Sequence, residues 1–157
     1  MVVKTSFEKP AEFIQWNERY KVGIPVVDAQ HESLVNLCND FYKSILKNGS
    51  AEMCRDSVRE TLEKCLNYAV THFQEEERLM QASSYAGFWD HKAAHDAFEK
   101  KCRETYGRFS SITVPEALKF AYFLRDWILT HIGHDDRLYL PALVAFLKEN
   151  HSSQFQK

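Results

Sequence analysis

The chain lacks the features that commit a sequence to many specialised roles. Its four cysteines, Cys38, Cys54, Cys65 and Cys102, are widely spaced and form no Cys-x-x-Cys pair. That disfavours a zinc knuckle or a dithiol redox motif. No apolar run approaches the ~20 residues of a transmembrane helix, and the N-terminal stretch lacks the apolar core of a signal peptide. A cytoplasmic protein with reduced, core-filling thiols and no membrane association is expected. The net charge is only −2, so no electrostatic pull toward nucleic acid or anionic lipid is expected either. Internal repeats, low-complexity segments and strand-type alternation are also missing.

What remains is helical periodicity. The 157 residues, 45% hydrophobic and 27% charged, suffice for one domain with one substantial core. Residues 1–27 read as an N-terminal arm, because Pro10, Gly23 and Pro25 break periodicity while Trp16 and its apolar neighbours suit packing across the domain. Asp28 is a plausible N-cap for a first helix, with His31, Leu34, Val35, Cys38, Phe41, Tyr42 and Ile45 on one stripe. Glu32 and Asn39 fall on other faces and are expected in solvent. The stretch Lys47-Asn-Gly-Ser50 ends this helix.

A second helix is predicted from Ala51 to about Gln81, with His72 and Glu76 continuing its apolar stripe. Glu75, Glu77 and Arg78 read as solvated charge. A third spans about Phe88 to Tyr106, with His91, His95, Phe98 and Cys102 in line. The fourth starts near Pro115 and carries Ala117, Ala121, Leu124, Ile128 and His131 on one face. A short final helix over 142–149 and a polar tail over 150–157 complete the chain. Residues 28–149 thus form an all-α, up-and-down antiparallel four-helix bundle, within a single domain spanning 1–157.

Two stretches stand out, His72-Phe-Gln-Glu-Glu76 and His91-Lys-Ala-Ala-His95. Each places potential metal ligands at i and i+4, one turn apart on one helical face. His31 and His131 add imidazoles on the other two helices, and Asp135 or Asp136 a second carboxylate. Buried ionisable groups are costly unless paired or metal-bound. Five of the seven histidines lie on inward stripes, whereas His134 and His151 read as surface residues. Imidazole with carboxylate and without thiolate suits iron or manganese, with zinc also possible. Five imidazoles and two carboxylates exceed the needs of one ion. If both carboxylates and a hydroxide bridge two metals, one metal has six ligands and the other five, with one open position.

The pattern resembles the hemerythrin family, specifically its bacterial domain. The resemblance runs from Trp16-Asn-Glu and Val22-Gly-Ile-Pro-Val-Val-Asp-Ala-Gln-His31 through His72-x3-Glu76, His91-x3-His95 and His131-x4-Asp136. It implies two non-haem irons bridged by hydroxide or oxide. His91, His95 and His131 would hold the saturated iron, His31 and His72 the open one, and Glu76 and Asp136 would bridge. It also implies that dioxygen binds reversibly, for storage, delivery or sensing, and that Ile128 is the aliphatic pocket residue. For the second carboxylate, spacing from His131 favours Asp135 and the family pattern selects Asp136; Gly133 would permit the local distortion that Asp136 needs.

The rival functions are enzymatic, namely turnover of peroxide or nitric oxide, or oxidation of ferrous iron. An apolar pocket without a spare acid or base favours binding and a polar residue beside the open iron favours turnover; the sequence shows no clear acid there beyond the bridging carboxylates. A ferritin-like site would need Glu-x-x-His motifs and a zinc protease His-Glu-x-x-His, and both are absent.

Overall fold

The computed structural model describes residues 12–48 and 50–154. The expectations for the first part of the arm, Gly49, the side chain of His151 and the last three tail residues lie outside the described residues. Four helical rods pack as the expected bundle, and no strand occurs among the described residues.

Helix α1 (Pro25–Asn48) starts three residues before the expected cap. Pro25 opens it rather than breaking the approach to it, since the first turn needs no N–H and the ring fixes a helical φ. Asp28 therefore sits inside the first turn. Its carboxylate accepts the backbone N–H groups of Val22 (2.7 Å) and Gly23 (3.2 Å). Gly23 makes the corner at φ +88°, a left-handed conformation suited to glycine. Before it the arm crosses the bundle. Ile14 and Tyr20 are buried, Trp16 packs against the core, but Val26 is exposed.

The second rod is continuous but irregular: α2 (Ala51–Tyr68) passes through a π-helical turn, Ala69–Phe73, into α3 (Gln74–Ala82). The third is α4 (Phe88–Tyr106). The fourth begins with α5 (Val114–Trp127), opened by a reciprocal cap in which Thr113 and Glu116 satisfy each other's backbone N–H. It continues through a longer π segment, Ile128–Asp135, into the short α6 (Asp136–Leu138). Helix α7 (Leu140–Gln154) follows, starting earlier and running further than expected, so residues 150–154 are helix rather than tail.

Asn39 also departs from expectation. It is buried, accepting from Ile14 N–H and donating to Ile14 C=O, both at 2.8 Å. One side chain thereby satisfies both backbone groups of an arm residue that has no ladder partner.

Two hydrophobic cores result. The larger, built from Leu34, Phe41, Leu62, Phe73, Phe98, Leu124 and Ile128 among others, fills most of the bundle. The smaller joins Met80, Phe88, Tyr139 and Leu143 under α7. The polar residues singled out above lie between them. All four cysteines are free and buried. Among the described residues, no helix is long and apolar enough to cross a membrane.

Candidate metal centre

The bundle brings all seven expected site residues together and buries every one: His31, His72, Glu76, His91, His95, His131 and Asp136. They form two overlapping sets. In each, the potential ligand atoms lie within 4.8 Å of one another. One set has five members, Glu76, His91, His95, His131 and Asp136; the other has four, His31, His72, Glu76 and Asp136. Both carboxylates are common to the two.

The carboxylates face the imidazoles closely. Asp136 Oδ2 is 3.0 Å from His31 Nε2, while its Oδ1 is 3.0 Å from His131 Nε2 and 3.3 Å from His91 Nε2. One carboxylate thus presents an oxygen to each set. Glu76 Oε2 is 3.3 Å from His72 Nε2, 3.4 Å from His95 Nε2 and 3.7 Å from His91 Nε2. Its Oε1 accepts a hydrogen bond from Tyr139 Oη at 3.0 Å.

The outward ring nitrogens define the inward ones. His31 Nδ1 lies 2.7 Å from Tyr20 C=O, His72 Nδ1 2.6 Å from Gln30 Oε1, and His95 Nδ1 3.0 Å from Glu77 Oε1. Each of these partners is an acceptor, so each Nδ1 carries the proton, and in the neutral ring Nε2 is bare. Bare nitrogens aimed at carboxylate oxygens repel unless a cation lies between them. Accordingly the Nε2 atoms of all five histidines, Glu76 Oε2 and both Asp136 oxygens are buried without a hydrogen-bond partner in the protein. Buried polar atoms are rarely left so. The set fits a metal centre on donor chemistry and on this shared orphaning, and the outward Nδ1–H bonds are those expected of metal-bound histidines.

Within the cluster the carboxylates and imidazoles also shift one another. Burial pushes both carboxylates up, but the surrounding imidazoles outweigh it and hold Glu76 and Asp136 well below the carboxylate range. Burial pulls His31 and His91 down, and the carboxylates, Asp136 foremost, outweigh it; His91 is raised to about 9. His95, where burial prevails, is lowered.

Aromatic rings hold the imidazoles flat. Phe73 stacks on His95 at 3.8 Å between centroids, Trp127 on His131 at 4.3 Å, and Tyr68 on His72 at 4.6 Å. Ile128 is fully buried in the main core, three residues before His131.

Sequence reasoning missed three contributors. Glu77, read as solvated charge, is half-buried as the partner of His95. Gln30 escaped notice because an amide beside a histidine carries no sequence signal of its own. Tyr139 lies beyond Gly133, where the helical pattern is interrupted. His134, by contrast, is exposed as expected.

Fold and site together define a helical-bundle protein with a buried histidine–carboxylate cluster able to bind metal. Residues 22–143 match the hemerythrin HHE cation binding domain, and the chain belongs to the hemerythrin family. It is 29% identical over 126 residues to a bacteriohemerythrin of Methylococcus capsulatus, covering 80% of this chain and 92% of that one. To a bacteriohemerythrin of Pseudomonas aeruginosa it is 30% identical over 129 residues, covering 82% and 80%. A crystal structure of wild-type hemerythrin superposes with TM-score 0.68 at 26% identity, over 83% of this chain and 98% of that chain. The family supports a non-haem di-iron, oxygen-binding role.

Proposed function

We propose that this protein binds dioxygen reversibly at a non-haem di-iron centre bridged by hydroxide or oxide. His91, His95 and His131 would hold one iron, His31 and His72 the other, with Glu76 and Asp136 shared. One observation carries the reading: buried donors with unpartnered inward atoms divide five and four around two common carboxylates. When bound, the irons supply the electrons and the one open coordination position that reversible oxygen binding requires.

The chain's own residues do the rest. Tyr20 C=O, Gln30 and Glu77 orient three imidazoles through their Nδ1–H groups. Tyr139 fixes the rotamer of Glu76 by donating to the oxygen that faces away from the imidazoles. Phe73, Trp127, Ile128 and Ile132 exclude water from the site, which keeps charge interactions there strong. A cytoplasmic setting accords with the four reduced thiols. A second reading, turnover of peroxide or nitric oxide or oxidation of ferrous iron, draws support from the buried Tyr68 hydroxyl beside His72.

The test is anaerobic loading with ferrous iron, an iron count, and visible absorption before and after admitting air. Two irons per chain, with a colour that appears in air and vanishes on deoxygenation, is the expected outcome. Two irons with only irreversible oxidation would shift the reading to turnover.

A further inference from the structure

Tyr68 carries a buried hydroxyl that the seven-residue site leaves unused. Four positions before His72 on the same rod, its ring lies against that imidazole at 4.6 Å and 28°. The hydroxyl is shielded from solvent and has no hydrogen-bond partner in the protein. A buried hydroxyl in that condition is costly, so an acceptor that the protein does not itself provide is implied. Glu76 Oε1 takes its hydrogen bond from Tyr139 instead.

Position then indicates the acceptor. His72 belongs to the four-member donor set alone, the set one donor short of its neighbour. Tyr68 therefore stands beside the metal position at which an external ligand has a place. A groove of about 330 Å³ between α1 and α2 leads to the same ring, lined by Gln30, Ser33, Leu34, Leu37 and Tyr68 with others.

We propose that Tyr68 is a ligand-binding residue, its phenolic O–H donating a hydrogen bond to the outer atom of a small ligand held at the His31–His72 pole. The assignment rests on the di-iron reading above. It gives the site a preference for diatomic or triatomic ligands whose outer atom carries an acceptor lone pair, dioxygen and azide among them. An ordinary phenol is protonated at neutral pH, so the donor is present there in every molecule. The pocket is then not wholly apolar.

Azide is the probe. Wild type and Tyr68→Phe are loaded with two ferric irons per chain, azide affinity is measured by absorption titration, and the azide stretch is recorded in H2O and D2O. The expected results are equal iron content, roughly fivefold to tenfold weaker azide binding by Tyr68→Phe, and a solvent-isotope shift present in wild type and absent from the variant. Equal affinities and a wild-type azide band insensitive to D2O would overturn the assignment. If the variant folds poorly, a wild-type azide band insensitive to D2O still overturns the assignment. A wild-type protein that takes up no iron overturns the di-iron reading and this assignment with it, so the iron count separates the two failures.

Discussion

Asp136 Oδ1 lies 3.0 Å from His131 Nε2, although five positions separate the two along one helical rod. On an ideal α-helix their side chains would diverge by about 140°. The π segment Ile128–Asp135 admits the extra residue per turn that brings them into line. Asp135, the residue that α-helical spacing favours, faces the opposite ring nitrogen, with Oδ2 3.4 Å from His131 Nδ1. Two adjacent carboxylates thus flank one imidazole, and Asp136 is the one that also reaches His31.

That division predicts different outcomes for two neighbouring substitutions. Asp136→Asn should leave fewer than two irons per chain after loading and desalting. Asp135→Asn should retain two, because it removes only an outer contact. Iron quantification on the two variants is sufficient, and the reverse ranking would refute the assignment of the bridge.

The outward partners of the imidazoles should act on separate poles. Gln30→Leu removes the acceptor of His72 Nδ1–H, and Glu77→Leu that of His95 Nδ1–H. Losses of about 10–100-fold in iron affinity are typical of such changes. Stepwise iron titration should show one weakened iron in each variant, and a loss of both irons together would argue against two distinct poles.

Tyr139→Phe should destabilise the metal-free protein. It removes the donor to Glu76 Oε1, a carboxylate with no solvent exposure. Hydrogen bonds to charged groups contribute about 1.5–3 kcal/mol, so denaturant unfolding should show a loss of that order. An unchanged midpoint would mean that the bond is absent in solution.

Iron itself should stabilise the fold, since the site exists only in the native state. At free iron one hundred times the dissociation constant, linkage gives about 2.7 kcal/mol, or roughly 5–10 °C in melting temperature for a chain of this size. Chelation should reverse the gain; a melting curve indifferent to iron would contradict the buried site.

Alkaline pH should weaken the fold through Cys38. Burial pushes its thiol up to about 12 from 9.0. Between these values the unfolded thiol has lost its proton while the native one keeps it, so the unfolded state binds fewer protons and stability falls as pH rises. The contribution is intact below about pH 9 and declines by about 1.4 kcal/mol per pH unit above it. Urea unfolding from about pH 8 to about pH 10.5 should show a steeper decline for wild type than for Cys38→Ala, and identical slopes would exclude the thiol as the cause.

Much of this arrangement was legible in the sequence because it is written in helical spacing. His72 with Glu76 and His91 with His95 share faces by local geometry, and their stripes must point into the same core. Other features followed rules that cross between elements. Asn39 reads as a solvent residue on its own helix, yet Ile14 of the arm, 25 positions away in sequence, needs its amide. Glu77 reads as surface charge, yet the approach of α4 places His95 Nδ1 against it. Pro25 reads as a break, yet the Val22 and Gly23 amides bonded to Asp28 turn it into a beginning.

The sequence by itself determined the bundle and brought five imidazoles and the Glu76 carboxylate to its interior, because period and burial are local properties of each helix. Tertiary structure decided which oxygen of Asp136 faces which histidine, how the donors divide into five and four, and that the Tyr68 hydroxyl is buried without a partner. Those depend on two π-helical turns and on how neighbouring rods meet, where one residue of register changes which side chains point inward and no pattern along a single helix records it.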